Sequence, residues 1–419
     1  MEFFMENVFL DANMIYDAGT KAMSGSKFKY ATQLFETNHL LYTAMLQKSL
    51  REGTYEPSEG NKFLIRERGK QRYITSNTMA DKTINHLICD EILTPYFHKY
   101  LIYDNSASQV GKGVAFHRKR FEAHLHRYFM RYGTNDGYIL FIDFSGYYAN
   151  ILQNKCLEVL EHFLTRSKIN SVERDFTLSL MKKIFKTFRV DVSRFSDEEI
   201  KRMYYGKIDA MLNHNVDKSL LTGEKFLEKG VDIGNQTSQN IGIIYPYKLD
   251  NYAKIVCGFH EYGRYTDDCH AIARTQRELL NLLSGFEVIA KEYGIIINKH
   301  KTRIVKLSGF YRYLQNGYSL TDTGQVMCKI SPKSITRERK KLKAYKRLLE
   351  RGIITYDEIE NIFKSWLGAN YKRMSHRQIY NISSLYYSLF RRYPKWKMKK
   401  NKTHSRLRWL MVHSSQDWS

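Results

Sequence analysis

The chain is poor in cysteine: Cys89, Cys156, Cys257, Cys269 and Cys328 are scattered over 419 residues with no CxxC pair. That spacing excludes the common zinc sites and a disulfide framework, and it fits a reducing cytoplasm. Long apolar runs are missing too. No stretch approaches the roughly 18 residues needed to cross a bilayer. The start, Met1-Glu2-Phe3-Phe4-Met5-Glu6-Asn7, carries acids where a secretory leader has a basic segment. A soluble, unsecreted cytoplasmic protein without a membrane partner is expected. Acidic residues are in deficit, 43 Asp plus Glu against 67 Lys plus Arg, giving a formal charge of +24. An apolar content of 43% is enough for the cores of two or three subdomains and excludes a disordered chain. The basic excess, with 14% aromatic residues, suits a protein that tracks phosphates and stacks bases. Charge alone fits a membrane-surface or ribosomal protein equally well.

What is present is a set of acids in telling places. Gly263-Arg264-Tyr265-Thr266-Asp267-Asp268-Cys269-His270-Ala271-Ile272 reads as a β-hairpin with two adjacent acids at its tip. A further acid closes an apolar strand in Leu140-Phe141-Ile142-Asp143-Phe144-Ser145-Gly146, just where the chain turns toward a helix. Two-metal chemistry needs carboxylates that converge on ions about 3.5–4 Å apart, and hard cations take oxygen ligands. A lone acidic pair on a turn is ordinarily a solvated turn, so its order among other segments matters. Between the two acidic segments lies a polar one opened by a glycine, Gly234-Asn235-Gln236-Thr237-Ser238-Gln239.

In this order the segments resemble palm motifs A, B and C of reverse transcriptases. Gly294-Ile295-Ile296-Ile297-Asn298-Lys299-His300-Lys301-Thr302 resembles segment D, and Phe310-Tyr311-Arg312-Tyr313-Leu314 the primer-gripping segment E. The resemblance implies an α+β right-hand polymerase with fingers, a palm whose antiparallel sheet carries an Asp triad, and a helical thumb. It also implies an RNA-directed DNA polymerase, a nucleotidyltransferase that uses two Mg²⁺ ions (with Mn²⁺ as a substitute), dNTPs and an RNA template to make a DNA product. Asp143, Asp267 and Asp268 match the catalytic acids and metal ligands, joined by the backbone carbonyl of Phe144. Tyr148 matches the aromatic that stacks under the sugar and excludes a 2′-hydroxyl; elsewhere a Tyr on an apolar face is usually core. Lys301, with Asn298 and Lys299 near it, matches the group beside the leaving pyrophosphate. Segment B departs from the family pattern, placing Ile233 where most relatives have Gln, with Gly234 and Gln239 completing the nucleotide-side set. This form resembles the enzymes of diversity-generating retroelements and argues against high fidelity.

Along the chain, residues 1–105 read as an N-terminal helical segment and fingers, and 106–330 as palm with a helical insertion at about 160–230. Residues 331–393 read as a helical thumb and 394–419 as a basic tail, too short for a ribonuclease H or endonuclease domain. Leu34, Leu41, Met45 and Leu46 fall near helical spacing and predict packing helices. Residues 62–74 read as strand, charged turn at Gly69, strand; by the resemblance Arg72, assisted by Lys70 or Arg66, contacts the incoming triphosphate. Asp81 to Leu93 predicts an amphipathic helix ending near Pro95. Gly111-Lys112-Gly113, followed by Arg118-Lys119-Arg120, lets backbone amides approach an anion but lacks the Walker spacing. Lys112, Arg118 and Arg120 are therefore assigned to template or primer backbone. Ser196 with Glu199 forms a capping-box pattern. Tyr311, Arg339 and Lys343 in the basic thumb helix, and Lys397 in the Trp/Lys tail complete the nucleic-acid set.

The resemblance is to bacterial, group II-intron-like enzymes. Retron enzymes are disfavoured by the lack of a Val-Thr-Gly segment, and group II intron enzymes themselves by segment B and the missing maturase and endonuclease extensions. An antiviral-defence enzyme copying a companion structured non-coding RNA suits the insertion, thumb and tail. A diversity-generating retroelement enzyme suits segment B and Gly-Lys-Gly. A catalytically idle RNA-binding protein is opposed by the intact acids and Tyr148, and an RNA-dependent RNA polymerase by Tyr148 and Tyr-Thr-Asp-Asp.

Overall fold

Asp11 starts the first helix because its carboxylate accepts the amides of Asn13 and Met14 at 2.7 and 3.3 Å, satisfying N–H groups that have no partner inside the helix. Helices α1 (Ala12–Met23), α2 (Tyr30–Thr37) and α3 (His39–Arg51) follow. Of the apolar residues expected to pack here only Leu46 is buried, while Leu34, Leu41 and Met45 face solvent. The helical phase does not carry across the break at Asn38, so the inward residues are Ile15, Ala18, Phe35, Leu46 and Leu50. Strands β1 (Asn61–Glu67) and β2 (Lys70–Ser76) pair antiparallel around Gly69, whose φ of +80° suits glycine. Thr78 caps α4 (Met79–Leu87), which passes through a π-helical turn into α5 (Thr94–Phe97). The helical path therefore does not end before Pro95. Pro95 lies within this continuous path, just after the π-helical turn Ile88–Leu93.

The computed structural model describes residues 7–67 and 69–394. One unit runs to His124 and resumes over Gly137–Ile304; the other takes Leu125–Asp136 and the chain from Val305. Helix α6 (Val114–Tyr132) is followed by β3 (Tyr138–Asp143), α7 (Gln153–Arg166) and α8 (Ser171–Phe188). Next come β4 (Val190–Asp191), α9 (Asp197–Tyr205), β5 (Phe226–Leu227), α10 (Gln236–Ile244) and α11 (Tyr247–Asn251). The hairpin β6 (Tyr262–Tyr265) and β7 (Asp268–Ala273), α12 (Gln276–Glu292) and β8 (Arg303–Lys306) complete this stretch. The sheet runs in the order β6-β7-β3-β8, with β3 at the centre buried along nearly its whole length. Leu140 and Ile142 of β3 share a core with Cys156 and Leu160 of α7, Met181 and Phe185 of α8, and Leu279, Leu282 and Phe286 of α12.

Residues 160–188 thus lie mostly in α7 and α8 of the main core, whereas 189–230 have a small core of their own built on Val192, Ile208 and Leu227. The capping box read at Ser196 and Glu199 is present, opening α9. At the other end of α9 the fully buried Lys229 Nζ donates to the carbonyls of Met203, Tyr204 and Gly206 at 3.1, 2.8 and 2.6 Å. Burial lowers its pKa to about 8.

In the second unit β9 (Tyr311–Tyr313), β10 (Asn316–Leu320) and β11 (Val326–Ile330) form an antiparallel meander. Three helices follow: α13 (Pro332–Glu350), α14 (Tyr356–Asn370) and α15 (His376–Phe390). Capping boxes open α14 at Thr355 and Glu358 and α15 at Ser375 and Gln378. Leu342, Ile359, Phe363, Leu367, Ile382 and Tyr386 make their shared core. Among the described residues, no helix is long and apolar enough to cross a membrane.

Candidate active site

Strand β3 ends at Asp143 with Asp268 directly opposite on β7, and residues paired across antiparallel strands stand on the same face of a sheet. The Phe144 amide donates to the carbonyl of Asp267 at 3.1 Å, so the turn of the β6–β7 hairpin is pinned beside the end of β3. Three acids therefore lie at the same end of the sheet. Segment D closes the other side: the Ser145 amide bonds to Ile296 O at 2.7 Å and the Asn298 amide to Asp143 O at 2.8 Å. Lys301 Nζ contacts both Asp143 carboxylate oxygens at 2.9 and 2.7 Å, and Asn298 Nδ2 contacts Oδ1 at 3.0 Å. Burial raises the Asp267 pKa, and the negative charge of Asp143 adds to the rise, while Lys301 and Arg72 pull against it.

Tyr148 begins a single 3₁₀ turn after Asp143. Its hydroxyl lies where a Cβ on Gly242 would come within 2.5 Å, so only glycine at 242 leaves room for the ring. Burial and the nearby Asp267 push the phenol up to about 12. The segment-B glycine is equally constrained. Gly234 has φ +124° and would bring a Cβ to 2.8 Å from Thr75 O. Ile233 is half-buried, with its carbonyl taking the Thr75 amide at 3.1 Å, and Gln239 is exposed on α10. Arg72 pairs with Glu67 at 3.6 Å, both largely exposed, a kind of contact that holds a side chain only weakly.

Several expected contacts turn inward. Lys112 Nζ donates to the carbonyls of Tyr103 and Asn105 at 2.9 and 3.1 Å. Arg120 Nε bonds to Asp104 at 2.6 Å. Both cations thus have partners within the protein while remaining partly exposed. Asp104 also takes Lys254 at 3.1 Å and lies 3.3 Å from His124 Nε2, and the contacts with His124, Arg120 and Lys254 hold its carboxyl far below the usual range despite its burial. Arg118 lies near Tyr265, whose acidity its charge affects. Tyr311 is buried in β9, whereas Arg339 and Lys343 are exposed on α13. Lys397 and the side chain of Lys70 lie outside the described residues.

The sequence reading missed Arg264. It is 0% exposed, one residue before Tyr265. It forks onto Asp250 at 2.8 and 2.7 Å and donates to the carbonyl of Thr266 at 3.0 Å. Thr266 has φ +56°, a costly conformation for a β-branched residue. The arginine thus holds the strained turn that carries Asp267. A charge within the otherwise uncharged strand β6 was the available signal.

Among the described residues, no three His, Cys, Asp or Glu side chains are gathered closely enough to hold a metal ion by themselves. The donor chemistry nonetheless fits a divalent cation. Asp143 and Asp267 offer hard oxygen ligands whose charges oppose each other, and the Lys301 ammonium on both Asp143 oxygens marks where positive charge is accommodated.

A sequence profile described as reverse transcriptase (RNA-dependent DNA polymerase) matches residues 59–319. No curated protein matches the chain significantly. Among solved structures, the chain is similar to the telomerase of Candida albicans in complex with the TWJ fragment of telomeric RNA, at 13% identity and TM-score 0.44, covering 89% of this chain and 71% of that one. It is also similar to apo telomerase from Candida tropicalis, at 11% identity and TM-score 0.46, covering 86% of this chain and 66% of that one. A form of that enzyme truncated from its C-terminal domain matches at 14% identity and TM-score 0.42, covering 64% of this chain and 54% of the other.

Proposed function

Because this chain belongs to the reverse transcriptase (RNA-dependent DNA polymerase) family, with its α+β right-hand polymerase fold, we propose that it is an active enzyme of that kind. The observation that carries the reading is the meeting of Asp143 with the Asp267–Asp268 hairpin under one lysine. In this reading Asp143, Asp267 and Asp268, with the carbonyl of Phe144, hold two divalent ions, Mg²⁺ by preference. Bound there, the ions supply activation of the primer 3′-hydroxyl and neutralise charge at the phosphorus. Arg72 meets the triphosphate. Tyr148 lies under the sugar, and Lys301, whose Nζ is 2.7 Å from Asp143 Oδ2, is the group that gives a proton to the departing pyrophosphate. Exposed Arg339 and Lys343 track nucleic-acid phosphates.

Tyr148→Ala should raise ribonucleotide use relative to dNTPs by roughly tenfold or more, read by single-nucleotide extension with dNTP and NTP in parallel. An unchanged preference would remove Tyr148 from the gate.

The template is a companion structured non-coding RNA in the bacterial cytoplasm, and the setting is antiviral defence. The surplus of positive charge, +24, supports a dedicated RNA held beyond the primer–template duplex. The half-buried Ile233 in segment B supports a second reading, error-prone copying of a template repeat in a diversity-generating retroelement. Sequencing the nucleic acid that co-purifies with the protein tests both. One abundant structured RNA, reverse transcribed over a defined part, is expected for defence, and a template repeat for diversification. Random cellular RNA, with binding unchanged after deletion of residues 394–419, would remove the dedicated template.

A further inference from the structure

The β1–β2 hairpin is poorly supported by its own packing: β1 is exposed at every position but Leu64, and an isolated two-stranded ribbon is marginal in water. Its hold on the rest of the protein runs through β2. Successive residues of a strand point to opposite faces, so Tyr73 and Thr75 share one face and Arg72 and Ile74 the other. On the Arg72 face, Ile74 packs against Gly234, whose missing Cβ would lie 3.2 Å from Ile74 Cγ2. On the opposite face Thr75 Oγ1 bonds to Asp232, and the Tyr73 hydroxyl bonds to His214 Nδ1 at 2.6 Å with the rings edge to face.

His214 belongs to the 189–230 segment, which is held by a small core and hydrogen bonds of its own. Ala149, next to Tyr148, packs against this small core. The Asn150 side chain accepts the Ile208 amide at 2.9 Å and donates to Gly146 O at 2.8 Å. The loop bearing His214 is fixed by Arg194 on Leu212 O at 3.0 Å and by Asn213 on Asp191 O at 2.8 Å. A continuous set of contacts thus joins the turn of Tyr148 to the outer face of β2.

We propose that residues 189–230 brace the β1–β2 hairpin over the nucleotide site, with His214 acting through Tyr73 as a positioning residue for Arg72. The nucleotide role rests on the polymerase reading above; the brace itself does not. Losing the His214–Tyr73 bond leaves Thr75 on Asp232 as the remaining side-chain hydrogen bond on that face of β2, so the hairpin is held less firmly and Arg72 spends less time where a triphosphate would meet it.

The test compares His214→Ala, Tyr73→Phe and their double variant with the parent chain. KM for dNTP should rise about three- to tenfold, the range of one lost hydrogen bond, with kcat within about twofold. The double variant should do no worse than the worse single one. His214→Gln, whose side-chain carbonyl can accept from Tyr73, should recover part of the loss. Amide exchange of residues 70–76, measured without nucleotide, should quicken in both single variants and not in palm strands 138–143 and 268–273. Quickened exchange in a chain that polymerises nothing would uphold the brace while failing the polymerase reading. Unchanged exchange at 70–76 in both variants would overturn the brace whether or not the parent polymerises.

Discussion

Replacing Asp267 and Asp268 together with Ala will reduce nucleotide incorporation by at least about a thousandfold, the size of effect expected when several kcal/mol of transition-state charge stabilisation are lost. Both residues sit where the β6–β7 hairpin meets the end of β3, so the double change strips two of the three acids from the site. RNA affinity should stay within about twofold, because phosphates are gripped by Lys and Arg through counterion release. Primer extension and filter binding on the same preparation separate the two effects. Full incorporation by the variant would end the assignment of chemistry to this site. Equal loss of RNA binding would mean that the changes had damaged the fold.

Arg264→Met should be the most destabilising single change near the site, by about 3–5 kcal/mol. Arg264 and Asp250 are both buried and joined by a two-pronged contact. Removing the guanidinium strands the Asp250 charge, which among the described residues then keeps only the Tyr262 hydroxyl at 2.8 Å. It also releases the carbonyl of Thr266 at the strained turn. Urea denaturation of parent and variant measures the loss, and a change under about 1 kcal/mol would show that the pair has no such role. Arg264→Lys separates charge from shape. It retains the positive charge but not the planar fork, so it should fall between the two.

The acids were legible from sequence because their signal is local. An apolar strand ending in Asp143 and a hairpin tip bearing Asp267 and Asp268 each declare themselves within ten residues, and their order supplied the rest. The capping box at Ser196 and Glu199 was legible for the same reason. The partners of Lys112 and Arg120 were not legible because a cation's partner is a tertiary fact: Asp104 and the carbonyls of Tyr103 and Asn105 take up groups that look free in a basic run. Tyr311 carried no mark of its burial. The exposed Leu34, Leu41 and Met45 show that apolar spacing fails where a helix breaks and the phase restarts. The His214–Tyr73 bond joins residues 141 positions apart, and no pattern in either neighbourhood announces it.

Val190 lies opposite Leu227 and Asp191 opposite Phe226, so the chain leaves for the brace and returns from it through one narrow neck. Once two strands are already side by side, lengthening the excursion between them costs only about 0.6 kcal/mol for each doubling. Such a neck is a natural graft point. Over descent, sequence could be gained, trimmed or exchanged beyond it without redrawing the strands that carry the acids. Each exchange would instead reset how firmly the nucleotide-facing hairpin is held, giving a lineage a way to vary its copying behaviour while its chemistry stays fixed.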